Sequence, residues 1–224
     1  MAGQMVSFSS NGGTAEGYLA KPASGKGPGV IVIQEWWGLN DNIKGIADRF
    51  AAEGYLALAP DLYHGNVTAE PDEAGKMMMA MKMDEAAKDM AGAYDYLQKH
   101  VACTGKVGSV GFCLGGGLSL YISTLRPIDA TVIYYGALPG VQPDLSKVAG
   151  PVLGHYAQND GWASPEAAAA LEKQLRDLGK SVEFHQYAGT EHAFFNDTRP
   201  EVYNAAASKQ TWERTIAFYK KHLA

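Results

Sequence analysis

The sequence predicts an α/β protein, with a mostly parallel β-sheet and helices on both faces. Three observations predict this class. Short strand-like runs alternate with longer segments of helical apolar spacing, which is the pattern of strand–helix–strand units. The run 29–34 (GVIVIQ) is dominated by β-branched residues without alternation, as expected of a strand buried on both faces. Two segments of alternating polarity, 5–9 and 16–20, predict an N-terminal β-hairpin.

Turn and cap residues place the elements of the first half. Residues 11–13 (NGG) are a turn signal between the two hairpin strands. After strand 29–34, Asn40 or Asp41 can cap a helix that runs to about residue 53 and is closed by Gly54. The next predicted elements are a strand at 55–59, a helix at 70–99 with a break near Gly75, and a strand at 106–112.

The second half continues the same alternation. Ser164 and Pro165 are a cap and first-turn pair that opens a helix, which ends at Gly179. The other predicted elements are a helix at 114–123, strands at 130–135, 151–156 and 181–187, and a last helix at 201–222.

Composition narrows the class of function. The 224 residues are 46% hydrophobic and 19% charged, as in globular proteins, and we find no internal repeat or linker, so residues 1–224 are predicted to form a single domain. The net charge is −5 and no Lys/Arg-rich run occurs, which argues against a nucleic-acid or anionic-membrane partner. Apolar runs such as Val30–Ile33 are far shorter than the roughly 20 residues of a membrane span.

The N-terminus and the cysteines predict a cytoplasmic location. The stretch MAGQMVSFSSNGG has neither the basic nor the apolar region of a secretory signal. Two cysteines, Cys103 and Cys113, are too few for a disulfide scaffold and fit a reducing compartment, although a pairing of the two stays open.

Chemically active side chains follow several of the predicted strands. Such sheets carry their chemistry outside the carboxyl ends of the strands. Glu35, Cys113, Asp160 and His192 all follow strands, so a thiol, two carboxylates and an imidazole are predicted at one edge of the sheet.

The segment 111–115 (GFCLG) has the form G-x-C-x-G. Its serine counterpart is the nucleophile elbow of α/β-hydrolases, a strained strand-to-helix turn in which glycines let strand and helix pass closely. The turn places the Cys113 thiol at a helix N-terminus, where the dipole favours thiolate. The alternatives are a small apolar cysteine in a glycine-rich turn and a nucleotide loop, but neither nucleotide-loop motif is present.

The order nucleophile, acid, histidine is that of α/β-hydrolases. His192 would take the proton of Cys113 and later deliver it to the leaving group, while Asp160 would hold the imidazole tautomer. The alternatives are a turn aspartate in N-D-G and a surface histidine.

These motifs together resemble the dienelactone hydrolase (carboxymethylenebutenolidase) family, which are cysteine α/β-hydrolases. The resemblance extends from about Val30 to the last helix. It is carried by Gln34-Glu35-x-x-Gly38-Leu39-Asn40, Pro60-Asp61-Leu62-Tyr63, Gly111-Phe112-Cys113-x-Gly115-Gly116, Tyr134-Tyr135-Gly136 and Glu191-His192-Ala193-Phe194. It implies an α/β-hydrolase fold and a cofactor-free hydrolase of a small ester or lactone that forms an acyl-thioester on Cys113.

The resemblance also assigns roles near the nucleophile. Glu35 is the family's extra glutamate, which holds or receives the proton of the resting thiol; the alternative is a surface glutamate at a loop start. The oxyanion hole should be the backbone N–H groups of Leu114 and Trp36. The family usually carries a smaller aliphatic residue at the position of Trp36.

Substrate contacts are where the chain departs from the family. The family grips a carboxylate with two arginines, but position 196 is Asn196 and residues 64–105 contain no arginine. Lys76 and Lys82 lie in the first of these regions and Arg199 lies three residues past Asn196; the alternative is that Arg199 or a lysine substitutes fully, although a lysine lacks the bidentate fork. Tyr135 is expected either to touch substrate or to fill the core. We therefore expect a weaker preference for carboxylated lactones.

Other functions stay open beside this one. The six histidines form no H-E-x-x-H motif and the cysteines no C-x-x-C motif, so we expect no metal site. A thioesterase or broad carboxylesterase of the same fold is the main alternative, followed by a non-hydrolytic binding or redox-sensing thiol protein. Either a monomer or a homodimer is expected.

Overall fold

Strands and helices alternate along the chain. A computed structural model describes residues 3–10, 12–138 and 140–224. The strands are β1 (Gln4–Ser10), β2 (Gly13–Ala20), β3 (Gly27–Ile33), β4 (Leu56–Pro60), β5 (Cys103–Phe112), β6 (Ala130–Tyr134), β7 (Val152–Asn159) and β8 (Val182–Glu191). The helices are α1 (Asp41–Ala52), α2 (Pro71–Ala80), α3 (Met83–Lys99), α4 (Leu114–Leu125), α5 (Pro165–Asp177) and α6 (Ala205–His222). This mixed sheet flanked by helices confirms the predicted α/β class.

The chain divides into two compact units, 1–109 and 110–224, with the division inside β5. In the first unit the strand order is β1-β2-β4-β3, with β5 next to β3. The β1–β2 hairpin is antiparallel, as predicted, and β3 runs parallel to β4. Asn11 of the predicted hairpin turn lies outside the described residues. Whether the chain is a single domain stays a prediction.

In the second unit β6, β7 and β8 are adjacent and parallel. Helix α4 packs on β6, and α5 packs on β7 and β8. A buried apolar cluster fills the space between α4, α5 and these strands, and it includes Leu120, Ile133, Val152, Tyr156, Ala163 and Leu175. Ala163 belongs to the loop after β7, so this core anchors that loop.

Local cap chemistry explains where two helices begin. Asn40 accepts a hydrogen bond from the N–H of Ile43 at 3.1 Å, which starts α1. Ser164 accepts from the N–H of Ala167 at 3.2 Å and starts α5, with Pro165 in the first turn. Both caps are as predicted.

The position predicted for the break in helix 70–99 is wrong. Gly75 lies inside α2, and the chain instead becomes extended at Met81 and Lys82 before α3 begins. An interior glycine costs a helix only about 1 kcal/mol, which does not end it. Acidic residues in the first turn of α3 favour a new helix start there.

Several predicted ends also move. The last helix begins at Ala205 rather than 201, because Asn204 caps the N–H of Ala207 at 3.0 Å. Strand β5 begins at Cys103 rather than 106. No helix within the described ranges is long and apolar enough to cross a bilayer.

Candidate active site

Three predicted site residues follow strands in the second unit. Cys113 comes directly after β5, Asp160 after β7 and His192 after β8. The Cys113 N–H donates to the carbonyl of Tyr134, the last residue of β6, at 3.1 Å. Because β7 and β8 are neighbouring and parallel, Asp160 and His192 follow the carboxyl ends of the two strands at the same edge of the sheet.

Cys113 occupies a strained turn between β5 and α4. Its φ of 55° and ψ of −121° lie in a region that residues with a side chain rarely adopt. A Cβ atom at Gly111 would lie 1.8 Å from the carbonyl oxygen of Gly115, so strand and helix cross at a distance that requires glycine. The predicted elbow geometry is confirmed. The side chain is buried at the first turn of α4, and neither Cys113 nor Cys103 is in a disulfide.

Asp160 and His192 form a hydrogen-bonded pair. The Asp160 Oδ2 and His192 Nδ1 atoms are 2.7 Å apart, and the Asp160 side chain is fully buried. Asp160 Oδ1 also accepts the N–H groups of Trp162 at 2.8 Å and Ala163 at 2.9 Å. Burial opposes ionisation, but the bonds from His192 and from these two N–H groups outweigh it and hold the pKa of the Asp160 carboxyl below its ordinary value.

The Asp160 carboxylate decides which nitrogen of His192 carries the proton. An ionised carboxylate only accepts hydrogen bonds, so Nδ1 must donate. Nε2 of the neutral ring then has a free lone pair and can accept a proton. The pair thus has the arrangement of a general base and its orienting acid.

Two aromatic rings surround the imidazole of His192. The ring centroid of Tyr135 lies 5.1 Å from that of His192, and the centroid of Trp162 lies 5.3 Å away. Tyr135 is fully buried and has a φ of 38°, a second strained residue at this strand edge. Sequence reasoning did not single out Trp162. An aromatic residue inside the turn that follows a candidate acid is the signal that was available.

The other predicted site residues of the second unit, Leu114 and Arg199, lie close in sequence to Cys113 and His192. Leu114 is the first residue of α4, where backbone N–H groups have no helical acceptor. Arg199 Nε donates to Glu201 Oε1 at 2.8 Å. Asn196 is buried, and its Oδ1 accepts from the N–H and the hydroxyl of Thr198.

Glu35, Trp36 and Lys82 belong to the first unit. Glu35 follows β3 and is 3% exposed, so it is not the surface residue that the alternative requires. Trp36 is half-buried, and its ring centroid lies 5.0 Å from that of Trp37. Lys82 is exposed, pairs with Glu85 at 3.0 Å and borders a cavity of about 210 Å³.

Metal-ligating side chains do not cluster in the part of the chain that the structure describes. Within that part, no group of three or more His, Cys, Asp or Glu side chains is placed to hold a metal ion. The expectation of a site without metal stays a prediction.

Parallel strands, flanking helices and a strained strand-to-helix turn define an α/β-hydrolase. The sequence model of the dienelactone hydrolase family matches residues 15–223. The chain is 40% identical to "Protein usf" of Aquifex pyrophilus, over 99% of both chains. It is 34% identical, over the same shares, to a protein of Aquifex aeolicus named "Putative carboxymethylenebutenolidase". A crystal structure from Klebsiella pneumoniae, titled "Putative Dienelactone Hydrolase", superposes with a TM-score of 0.85 at 26% identity, covering 97% of this chain and 99% of that one.

The chain therefore belongs to the dienelactone hydrolase family. The predicted enzyme class, a carboxylic ester hydrolase of this family, is confirmed with it.

Proposed function

We propose that this protein hydrolyses small esters or lactones through an acyl-thioester on Cys113, with His192 as base and Asp160 as its orienting acid. The observation that supports this most strongly is the 2.7 Å bond between Asp160 and His192, together with the strained strand-to-helix turn of Cys113 in the same unit. Family membership favours the hydrolase over a binding or redox-sensing protein, and a redox sensor would have no need of the oriented imidazole.

The reaction proceeds in two steps. The Cys113 sulfur attacks the carbonyl carbon, its proton passes to His192, and the C–O bond to the leaving alkoxide breaks as His192 protonates that oxygen. Water, deprotonated by His192, then attacks the thioester carbonyl and releases the acid and the thiol. Asp160 stabilises the imidazolium formed in each step.

Backbone N–H groups would stabilise the developing oxyanion. Leu114 supplies one from the first residue of α4, where the helix dipole adds to the attraction. Trp36, in the loop after β3, would supply the other by resemblance to the family. Removal of one such donor typically costs 10²–10³ in kcat, about 3–4 kcal/mol.

Glu35 would regulate the protonation of Cys113. Its near-complete burial supports this role, because a buried carboxylate is costly unless neighbouring groups bond to it or it carries a proton. By resemblance to the family, Glu35 would keep the resting thiol of Cys113 protonated, and that proton would pass to His192 once substrate binds.

The substrate class follows from the cations that the sequence offers for a substrate carboxylate. Arg199 is engaged by Glu201 and Lys82 by Glu85, while Asn196 carries no charge. To bind Arg199 or Lys82, a carboxylated lactone would have to displace the carboxylate of Glu201 or Glu85, and Lys82 lacks the bidentate fork of an arginine. We therefore propose useful activity on neutral small esters, with thioesters as the second candidate class.

The test is a hydrolysis panel of lactones, aryl esters and thioesters on purified protein. We expect Cys113→Ala to abolish turnover and Cys103→Ala, the matched control, to keep it. Mass spectrometry of wild-type protein quenched during turnover should find the acyl group on the peptide that contains Cys113. Full activity of Cys113→Ala would contradict the proposal, and hydrolysis of thioesters alone would favour the thioesterase.

A further inference from the structure

We infer that Trp162 is a positioning residue for His192, and that its indole and the ring of Tyr135 form an aromatic clamp on the imidazole. The inference rests on the proposed function, since it assigns this clamp to the base of that reaction. It starts from the surroundings of His192, whose side chain is only 27% exposed although it follows the end of an edge strand.

Both rings meet the imidazole in edge-to-face geometry. The interplanar angles are 65° for Tyr135 and 80° for Trp162, with centroid distances of 5.1 and 5.3 Å. These values lie within the range that aromatic pairs favour. Two such contacts restrict rotation of the imidazole about its Cβ–Cγ bond. The one hydrogen bond to Asp160 would by itself constrain that rotation less.

Trp162 contacts both members of the pair. Its backbone N–H donates to Asp160 Oδ1 at 2.8 Å, while its indole lies against His192. Trp162 also packs against the buried cluster of the second unit, which includes Ala163 and Leu175. The core thus fixes the position of Trp162, and Trp162 in turn fixes the positions of Asp160 and His192 relative to each other.

The backbone of Tyr135 is strained in the same place. Its φ of 38° is in the left-handed region, and its N–H is bound to the carbonyl of His155 at 2.7 Å. A buried tyrosine adopts this conformation only where its surroundings enforce it. The result is a ring turned against His192 and Phe194.

The clamp matters because catalysis depends on where Nε2 points. A rotated imidazole keeps its burial but loses the bond to Asp160 and misdirects Nε2, and a misplacement of about 1 Å can cost about 100-fold in rate. We therefore expect Trp162→Leu to lower kcat by 10- to 100-fold with little change in KM. Trp162→Phe, which restores a ring, should recover most of that loss.

The experiment compares four proteins: wild type, Trp162→Leu, Trp162→Phe and Trp212→Leu. All keep the backbone N–H at position 162, so they isolate the indole. Trp212 is a matched control, half-buried in the same unit and in ring contact with Phe195. The readouts are kcat and KM on an aryl ester, the low-field proton resonance of the His192 Nδ1–H, and the thermal melt. If Trp162→Leu does not fold, Trp162→Met takes its place.

We expect Trp162→Leu to lose both kcat and the low-field resonance, while Trp162→Phe and Trp212→Leu keep them. Unchanged kcat and resonance in Trp162→Leu would overturn the clamp, and so would equal losses in the Leu and Phe variants. The resonance does not require ester turnover. If no ester is hydrolysed, the proposed function fails while the resonance still decides the clamp.

Discussion

The Asp160→Asn substitution tests the site at its best-defined contact. Asparagine keeps a carbonyl oxygen that can accept the N–H groups of Trp162 and Ala163, now at 2.8 and 2.9 Å. Its amide NH₂ then faces His192 Nδ1 and donates to it. The imidazole is driven to the tautomer protonated at Nε2, which cannot take a proton from Cys113.

The size of the effect follows from this change of tautomer. A misoriented triad of this kind loses about 10⁴ in kcat, or about 5 kcal/mol of barrier. The folded state loses much less. Two hydrogen bonds to Oδ1 are retained without the charge and the third is rearranged, so we expect the free energy of unfolding to fall by about 1–3 kcal/mol.

The assay measures kcat on an aryl ester alongside the thermal melt. Asp144→Asn is the control, because Asp144 accepts the Ser146 N–H at an exposed turn of the same unit and is bonded to Ser146 and Lys147 instead of to an imidazole. We expect that control to keep its rate. A folded Asp160→Asn variant that loses less than tenfold in kcat would refute the assignment of Asp160 and with it the tautomer argument.

The same substitution has a pH signature. The pKa of Asp160 is lowered in the folded state, so its ionisation stabilises the fold above the ordinary value of 3.8. That contribution is lost as the pH falls through the lowered value. The difference in free energy of unfolding between wild type and Asp160→Asn should therefore be constant near neutrality and decrease below about pH 4. A difference that grows with acidification would contradict the sign.

Four further substitutions test the rest of the site. His192→Ala should lower the acylation rate by several orders of magnitude in a protein that still folds, with a lower melt because the buried Asp160 carboxylate loses a partner; a loss below tenfold would reject it as the base. Glu35→Gln should shift the pH profile of Cys113 alkylation by iodoacetamide, and an unchanged profile would make Glu35 purely structural. Gly111→Ala should destabilise the fold by several kcal/mol in a denaturant titration, since its Cβ would lie 1.8 Å from a carbonyl oxygen. Arg199→Ala should leave the ratio between kcat/KM for a carboxylated lactone and kcat/KM for a neutral ester nearly unchanged. If the wild type strongly prefers the carboxylated lactone and this variant loses that preference, the substrate is the carboxylated lactone after which the family is named.

Features that depend on a few neighbouring residues could be predicted from the sequence. The caps at Asn40 and Ser164 and the elbow at Cys113 are local, because each is decided by hydrogen bonds or steric clashes within about four residues. The same reasoning failed at the break between α2 and α3. Gly75 lowers helix propensity, but the position of a break also depends on what each helix packs against.

The contact between Asp160 and His192, in contrast, depends on the tertiary structure. The order Cys113, Asp160, His192 was readable along the chain, whereas the 2.7 Å contact joins residues 32 positions apart. The rings of Tyr135 and Trp162 reach His192 from the ends of other strands, and the pairing of Arg199 with Glu201 depends on a turn that the sequence predicted to be helix. Residue types and their spacing determine which groups can react, but the distances and angles between them arise only when the strands pair and the loops pack on the core, since no local interaction spans those separations.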